Sequence, residues 1–227
     1  MIADGGATFH QVAFVWMLDT IHEAFVGYSA WWFLIARCNN GNLGCNETNW
    51  STISQVVPSE ICAVIIEYFF IYRILELGRS RWYLLLGPLP LIAFAFSIRY
   101  IYKCYVLPGW QYTTVDTWAL TAFAATRVVA DVLIAIIMCY LLYNSRGGVF
   151  PKTRSIIGHL INWTICTGVL TSIVAGAYML TYLAMPLNMI YIAIYFTHSK
   201  VYINSMLAVL NSRNKLRQIQ GSVHYTD

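Results

Sequence analysis

Long apolar stretches recur along almost the whole chain, and they constrain its fold more than any other feature. Several reach about 18 residues or more, which is the length that a helix needs to cross the hydrocarbon core of a bilayer. Of the 227 residues, 59% are hydrophobic and 11% are charged, whereas soluble domains carry roughly 25% charged residues. The sequence therefore predicts an all-α fold, a polytopic transmembrane helix bundle of about six spans.

The predicted spans leave no room for a separate soluble domain. Short segments rich in glycine, proline and polar residues connect them. The spans occupy residues 11–36, 59–77, 82–106, 117–143, 156–184 and 188–210, and the polar stretch 211–227 forms the C-terminal tail. The lipid bilayer is therefore the first partner that the sequence predicts.

Lysine and arginine residues are divided unequally between the two sets of connecting segments. Near the span ends, eight lie on the side of the C-terminal tail, and only Arg37 and Lys103 lie on the other side. Basic connectors are retained in the cytosol. The C-terminus is therefore predicted to be cytosolic, in a membrane of the secretory pathway or in the plasma membrane, and the loop 37–57 is predicted to be lumenal or extracellular.

The loop 37–57 carries two features that fit such a location. Asn46 and Asn49 each begin an Asn-x-Ser/Thr pattern, which is the acceptor for N-linked glycans. Cys38 and Cys45 lie in the same loop, and Cys104 lies near a helix end. Cysteines can be bridged where the compartment is oxidising. We therefore expect glycosylation at Asn46 or Asn49 and regard Cys38–Cys45 as a candidate disulfide.

Polar and ionisable side chains gather near the middle of the predicted spans, where a charge costs about 2.5 kcal/mol or more. Asp19, His22 and Glu23 share one face of the first span, since spacings of three and four coincide on a helix. Arg127 and Asp131 are one turn apart in the fourth span, so they can pair within that helix. The other members are Glu67 in the second span and His198, Lys200 and Asn204 in the sixth.

Two interpretations of these interior groups remain open. They could form a structural ion-pair network that fixes the rotation and register of the helices. They could equally line a polar cavity for a ligand, an ion or a proton path. For such a cavity, Glu67, Arg127, Asp131 and Lys200 are the expected lining.

Several more specific chemistries are disfavoured. The net charge of +4 does not indicate nucleic acid, because the basic residues lie between apolar runs, where they set topology. Five histidines are too few for a membrane diiron site of the histidine-box type, and the paired aspartate-rich motifs of prenyl diphosphate enzymes are absent. Lys200 lies mid-span, as a retinal Schiff base requires, but a lone intramembrane lysine is more commonly paired with an acid. We predict no nucleic acid, metal or cofactor.

Several stretches of the chain are similar to a known family. The longest and most specific is the run 199–213, and the others are 18–22, 130–135, 139–142 with Ser145 and Arg146, and 167–172. These stretches resemble the multi-pass membrane proteins of mushroom-forming fungi (basidiomycetes) that share a C-terminal domain of unknown function. Members of that family look like seven-span proteins with the N-terminus outside.

The resemblance covers nearly the whole chain but begins at the second span of the family. It therefore implies that one helix is missing at the N-terminus, either in a genuine six-span variant or through a start site placed too late. The family has no established activity, so the resemblance implies an origin and a topology without a mechanism.

Three classes of function are compatible with the sequence. The first is a receptor-like or accessory membrane protein, favoured by the lack of a recognisable catalytic constellation. The second is a small-molecule transporter or exporter, favoured by the charges at mid-depth. The third is a membrane-embedded enzyme acting on an apolar metabolite of fungal secondary metabolism. Besides the bilayer, a small apolar ligand is a possible partner, and the receptor-like or accessory protein is favoured over a transporter and over an enzyme.

The predicted topology places the loop 37–57 and the C-terminus on opposite sides of the membrane. A reporter tag inserted after Asn49 should therefore be reached by antibody only from the lumenal or extracellular side, and a C-terminal tag only after the plasma membrane is permeabilised. A tag in the segment 145–150 is the matched control and should behave like the C-terminal tag. Detection of the Asn49 and C-terminal tags in one compartment would refute this topology.

Overall fold

The computed structural model of the chain describes residues 5–37, 49–78, 81–107, 117–144, 151–185 and 190–223. Side chains are described at 10–36, 49–78, 82–107, 117–141, 143–144, 168–185 and 190–208. The α-helices in these ranges are α1 (Gly5–Trp31), α2 (Trp50–Ser54), α3 (Val56–Gly78), α4 (Pro88–Val106), α5 (Thr117–Asn144), α6 (Pro151–Ala184) and α7 (Ile190–Val223). A π-helical segment, Trp32–Arg37, extends α1, and a 3-10 segment, Arg81–Leu86, precedes α4. The described ranges contain no strand, so the predicted all-α helix bundle is confirmed.

Two helical stretches within the described ranges are long and apolar enough to cross a membrane. They are Trp82–Val106 and Thr117–Leu141, each of 25 residues, with mean hydropathies of 1.8 and 2.1. A shorter apolar stretch, Gly168–Ala184, lies in α6. These stretches are consistent with a membrane location, and the full set of six spans stays a prediction from the sequence.

Gly87 alone separates the 3-10 segment from α4, which begins at a proline. Pro88 is the first residue of α4, a position where the missing N–H of proline sacrifices no helical hydrogen bond. The N–H of Gly87 donates to the carbonyl of Leu84 at 3.0 Å, and the Tyr68 hydroxyl donates to the Gly87 carbonyl at 2.8 Å. The start of α4 is therefore tied to α3 by a side chain.

Helix α3 is the centre of the bundle, because it contacts α1, α2, α4, α5 and α7. The helices α4 to α7 pack in chain order, and α7 returns to α1. One end of the interior is filled by aromatic side chains, and the other end by mostly aliphatic ones. The aromatic end contains Phe123, Tyr178, Tyr182, Tyr191 and Tyr195, and the aliphatic end contains Ile71, Ile74, Leu86, Ile134, Met138 and Leu141.

Helices α5 and α6 approach each other closely at a glycine. A Cβ atom added to Gly168 would lie 2.7 Å from the Cβ of Ala135, which is a clash with a rigid side chain. Gly176 lies about two turns further along α6, and a Cβ added there would meet no atom within 4 Å. Small residues allow such close contacts between helices in membranes. The α5–α6 contact therefore depends on glycine at 168 and not at 176.

The substitution Gly168→Ala should lower the melting temperature of the detergent-purified protein. Overpacking costs about 1–3 kcal/mol, which outweighs the gain of up to about 1 kcal/mol when alanine replaces glycine in a helix. Gly176→Ala is the matched control and should raise the melting temperature slightly, because it gains helix propensity without a clash. Fluorescence-detected thermal unfolding would measure both, and an equal rise for the two variants would contradict the close approach.

Candidate functional site

The interior polar side chains form two separate clusters. The first, which we call the central cluster, joins α3, α5 and α7 and consists of Glu60, Glu67, Arg127, Asp131, Tyr195, His198 and Tyr202. The second, which we call the α1–α7 cluster, consists of Asp19, Glu23 and Lys200. The structure thus places Lys200 apart from Glu67, Arg127 and Asp131, although the sequence grouped these four residues as one lining.

Arg127 is the hub of the central cluster, and its side chain is fully buried. Its guanidinium pairs with two carboxylates of α3: Nη2 contacts Glu60, and Nη1 lies 2.7 Å from Oε2 of Glu67. Glu60 and Glu67 are seven residues apart, so they lie on one face of α3. Arg127 therefore pairs across the bundle, where two carboxylates match its fork of donors, rather than with Asp131 along its own helix as the sequence suggested.

Two tyrosine hydroxyls of α7 complete the hydrogen bonds of the central cluster. Tyr195 donates to Oε1 of Glu60 at 2.8 Å, and Tyr202 donates to Oδ2 of Asp131 at 2.5 Å. Hydrogen bonds to charged groups contribute about 1.5–3 kcal/mol each. Helix α7 is therefore fixed against both α3 and α5 by buried bonds.

His198 lies among the tyrosines of the central cluster and is 1% exposed. Its ring centroid is 4.8 Å from that of Tyr202, 5.8 Å from that of Tyr178 and 6.1 Å from that of Tyr195. The ring contacts with Tyr178 and Tyr202 are edge-to-face, a favourable arrangement for aromatic pairs. His198 is therefore packed as one ring of an aromatic group.

The α1–α7 cluster is more exposed than the central cluster. Lys200 contacts Asp19, and its Nζ lies 2.7 Å from Oε1 of Glu23. These three side chains are 32%, 21% and 55% exposed in that order. His22, on the same face of α1, is fully buried and lies edge-on to Phe196 at 6.4 Å. The α1–α7 cluster therefore joins the two helices that lie furthest apart in the chain.

Sequence reasoning missed Glu60, Tyr195 and Tyr202, and it included two residues, His22 and Asn204, that belong to neither cluster. Asn204 is exposed on α7. Glu60 is the second residue of the predicted span 59–77, so it looks like an interfacial residue rather than an interior one. Its spacing of seven from Glu67 was the available signal, because two helical turns return a side chain to the same face.

The residues of the loop 37–57 are only partly described. Asn49 is the N-cap of α2, where its side-chain oxygen accepts a hydrogen bond from the Ser51 N–H, and it is 5% exposed. Attachment of a glycan to Asn49 would require its amide to turn outward. Asn46, Cys38 and Cys45 lie outside the described residues, and Cys104 forms no disulfide with any described residue.

A cavity of about 80 Å³, which we call the end cavity, lies at the aromatic end of the bundle. Helix α2 borders it and is anchored to α1, because the Ser51 hydroxyl donates to the Phe25 carbonyl at 2.7 Å. Two buried polar atoms of the lining have no hydrogen-bond partner among the described residues: Oε1 of Gln55 and the hydroxyl of Tyr178. The other lining residues include Ile53, Val56, Ser97, Tyr100, Ile101, Leu120, Phe123, Tyr191, Ile192 and Tyr195. Apolar walls with a few polar atoms are typical of sites for small molecules.

Comparison with known proteins identifies a domain but no activity. Residues 127–215 match the model of a family of unknown function, DUF6534. The matched segment begins at Arg127 and includes the α5 and α7 members of the central cluster. No curated protein and no solved structure matches the chain. The predicted C-terminal domain of unknown function is therefore confirmed.

Removal of the Arg127 charge should be far more damaging than removal of the Lys200 charge. Arg127→Met leaves two buried carboxylates unpaired, which costs about 3–5 kcal/mol. Lys200→Met acts on a partly exposed pair and should cost about 1 kcal/mol or less. The monodisperse yield after detergent extraction measures both effects.

Neutralising the two glutamates tests whether unpaired charge causes the loss of yield. Addition of Glu60→Gln and Glu67→Gln to Arg127→Met should recover part of the yield, because no unpaired charge then remains. If Lys200→Met proves the more harmful single substitution, the central cluster is not what holds the bundle together.

Proposed function

We propose that this chain is a receptor-like membrane protein that binds a small apolar ligand in the end cavity. The observation that carries the proposal is that Tyr195 lines the end cavity and also donates to Glu60 of the central cluster. A ligand in the cavity would therefore contact a side chain that is hydrogen-bonded to the buried ion pairs. We assume here the six spans that the sequence predicts.

Exposed apolar side chains around the bundle support a membrane location. Leu34 and Leu85 are 72% and 76% exposed, and Trp16, Ile136 and Ile173 are between 60% and 68% exposed on three other helices. Exposed apolar surface on this scale marks a membrane or protein interface. We propose the membrane of the secretory pathway or the plasma membrane of a basidiomycete, with the C-terminus in the cytosol and a glycan on Asn46 or Asn49.

In the proposed orientation, the end cavity lies on the lumenal or extracellular side. The helices α3, α5 and α7 begin at that end, and α4 and α6 finish there, opposite the basic connectors. A ligand could reach the cavity from outside or from the outer leaflet. The aliphatic end of the interior faces the cytosol in the same orientation.

The end cavity also indicates the chemistry of the ligand. Among the described residues, Gln55 Oε1 is an acceptor without a partner, so it favours a ligand that carries one hydrogen-bond donor. The remaining wall is mostly apolar. A compact hydrocarbon with a single hydroxyl group fits this lining.

The charged central cluster favours a second candidate, a small-molecule transporter. Intramembrane charges mark substrate and ion pathways in many transporters. Transport needs an opening towards the cytosol, whereas buried aliphatic side chains pack together at the end of the described interior opposite the end cavity. Uptake or efflux of the bound compound in reconstituted vesicles would distinguish a transporter from a receptor.

Cyclohexanol should stabilise the purified protein more than methylcyclohexane does. The two probes have similar size, but only the alcohol can donate to Gln55. At about ten times its Kd, a ligand stabilises the folded state by about 1.4 kcal/mol, which corresponds to a rise of about 3–6 °C in melting temperature. Thermal unfolding in detergent measures the rise.

Two variants of matched chemistry localise the effect. Leu120→Phe fills the end cavity and should abolish the rise, whereas Leu91→Phe adds the same side chain at an outward position of α4 that is 55% exposed in the parent and should preserve it. An identical response to cyclohexanol in both variants would assign the effect to the micelle and remove the support for the proposed site.

A further inference from the structure

Helices α1 and α7 share an outer surface that carries polar side chains, which we call the α1–α7 face. Spacings of three and four place its residues in one row along each helix, and the 2.7 Å contact between Lys200 and Glu23 joins the two rows. All of these residues are exposed apart from Lys200, which is 32% exposed. They are Thr20, Glu23 and Gly27 of α1 and Thr197, Lys200 and Asn204 of α7.

The corresponding surfaces of α5 and α6 are apolar by contrast. Between residues 125 and 136 and between residues 168 and 176, every exposed residue is apolar. Glu23 and Lys200 lie near the middle of the predicted spans 11–36 and 188–210, a depth at which ionisable side chains are rarely left facing lipid. Because Glu23 is 55% exposed on an outer surface, we expect another protein segment to cover it.

The shape and the polar groups of the α1–α7 face fit a helix better than a lipid. A Cβ atom added to Gly27 would meet no atom within 4 Å, and Ala24, beside Glu23, is also exposed. Such small residues allow helices to approach closely in membranes, and asparagine side chains form hydrogen bonds across the contact. The amide of Asn204 carries donors and an acceptor that lipid tails cannot satisfy. The occupant that fits is therefore a transmembrane helix.

The charges of the α1–α7 face specify the side chain that this helix should carry. Asp19 and Glu23 both pair with Lys200, so one negative charge is in excess when the three groups are ionised. Thr20 and Thr197 donate their hydroxyl protons to carbonyls of their own helices at 2.9 and 2.7 Å. Their oxygens remain able to accept hydrogen bonds. The face therefore favours a partner with positive charge and several donors.

We infer that the α1–α7 face binds a transmembrane helix of another membrane protein, and that this helix carries an arginine or a lysine at mid-depth. A second copy of the chain is a poorer occupant, because it would bring two excess negative charges together. The inference rests on the membrane location proposed above, but it needs no ligand in the end cavity.

The test uses model helices in phosphatidylcholine vesicles that contain the full-length chain. Three leucine-rich peptides of about 20 residues, long enough to span the bilayer, differ only in their central residue, which is arginine, leucine or glutamate. Energy transfer from a donor dye on the chain to an acceptor dye on the peptide measures binding. The arginine peptide should bind at least about tenfold more tightly than the leucine peptide, because polar contacts strengthen helix association in lipid. The glutamate peptide should bind no more tightly than the leucine peptide.

Two substitutions, each with a matched control, show whether binding uses the α1–α7 face. Glu23→Gln removes the excess charge and should weaken binding of the arginine peptide at least about fivefold, whereas Glu76→Gln, at an exposed position of α3, should leave it unchanged. Gly27→Leu prevents the close approach without changing any charge and should also weaken binding. Ala125→Leu, at an exposed position of α5, should bind like the parent. Should Glu23→Gln fail to fold, Gly27→Leu keeps the test decisive.

Three results would overturn the inference. Equal binding of the arginine and leucine peptides would show that charge is not recognised, and a lack of energy transfer with all three peptides would show that the face binds no such helix. Energy transfer between two labelled copies of the chain that Gly27→Leu abolishes and the arginine peptide does not displace would identify a second copy as the occupant.

Flotation of the vesicles separates failure of this inference from failure of the proposed function. A chain that does not float with the vesicles would refute the proposed membrane location together with the inference. A chain that floats with the vesicles but binds no peptide would refute the inference alone.

Discussion

The burial of one guanidinium between two carboxylates of a neighbouring helix is the interaction on which the rest of the structure depends. Arg127 of α5 is fully buried and pairs with Glu60 and Glu67 of α3. An unpaired charge in such a place is strongly destabilising. The rotation of α3 and α5 is therefore fixed, because any other rotation would separate Arg127 from these carboxylates and leave buried charges unpaired.

The carboxylates of the central cluster also determine the position of α7. Tyr195 and Tyr202 donate to carboxylates at two levels of the central cluster, and they hold α7 against α3 and α5. The end cavity adjoins Tyr195, so this cavity borders the network that fixes the helices.

Much of the fold and part of the site could be predicted from residue types alone. The long apolar runs indicated helices, and Glu67, Arg127, Asp131 and His198 were expected in the interior. Glu60 was missed because its place near a span end hides its burial, and Lys200 was grouped with Asp131 although it pairs with Asp19 and Glu23. The intrahelical pairing of Arg127 with Asp131 was plausible by spacing, yet two carboxylates of α3 offer the guanidinium a better match.

The sequence by itself determined that the chain forms a bundle of helices and that charged side chains lie within apolar stretches, because both follow from local composition and periodicity. Only the tertiary structure decided which charges meet. The partners of Arg127 and Lys200 are 67 and 181 residues away in the chain, and such pairings depend on the relative rotation and depth of separate helices. Local periodicity defines which face of a helix is buried, but it does not identify the helix that packs against this face. The cavities between helices could therefore not be predicted from the sequence either.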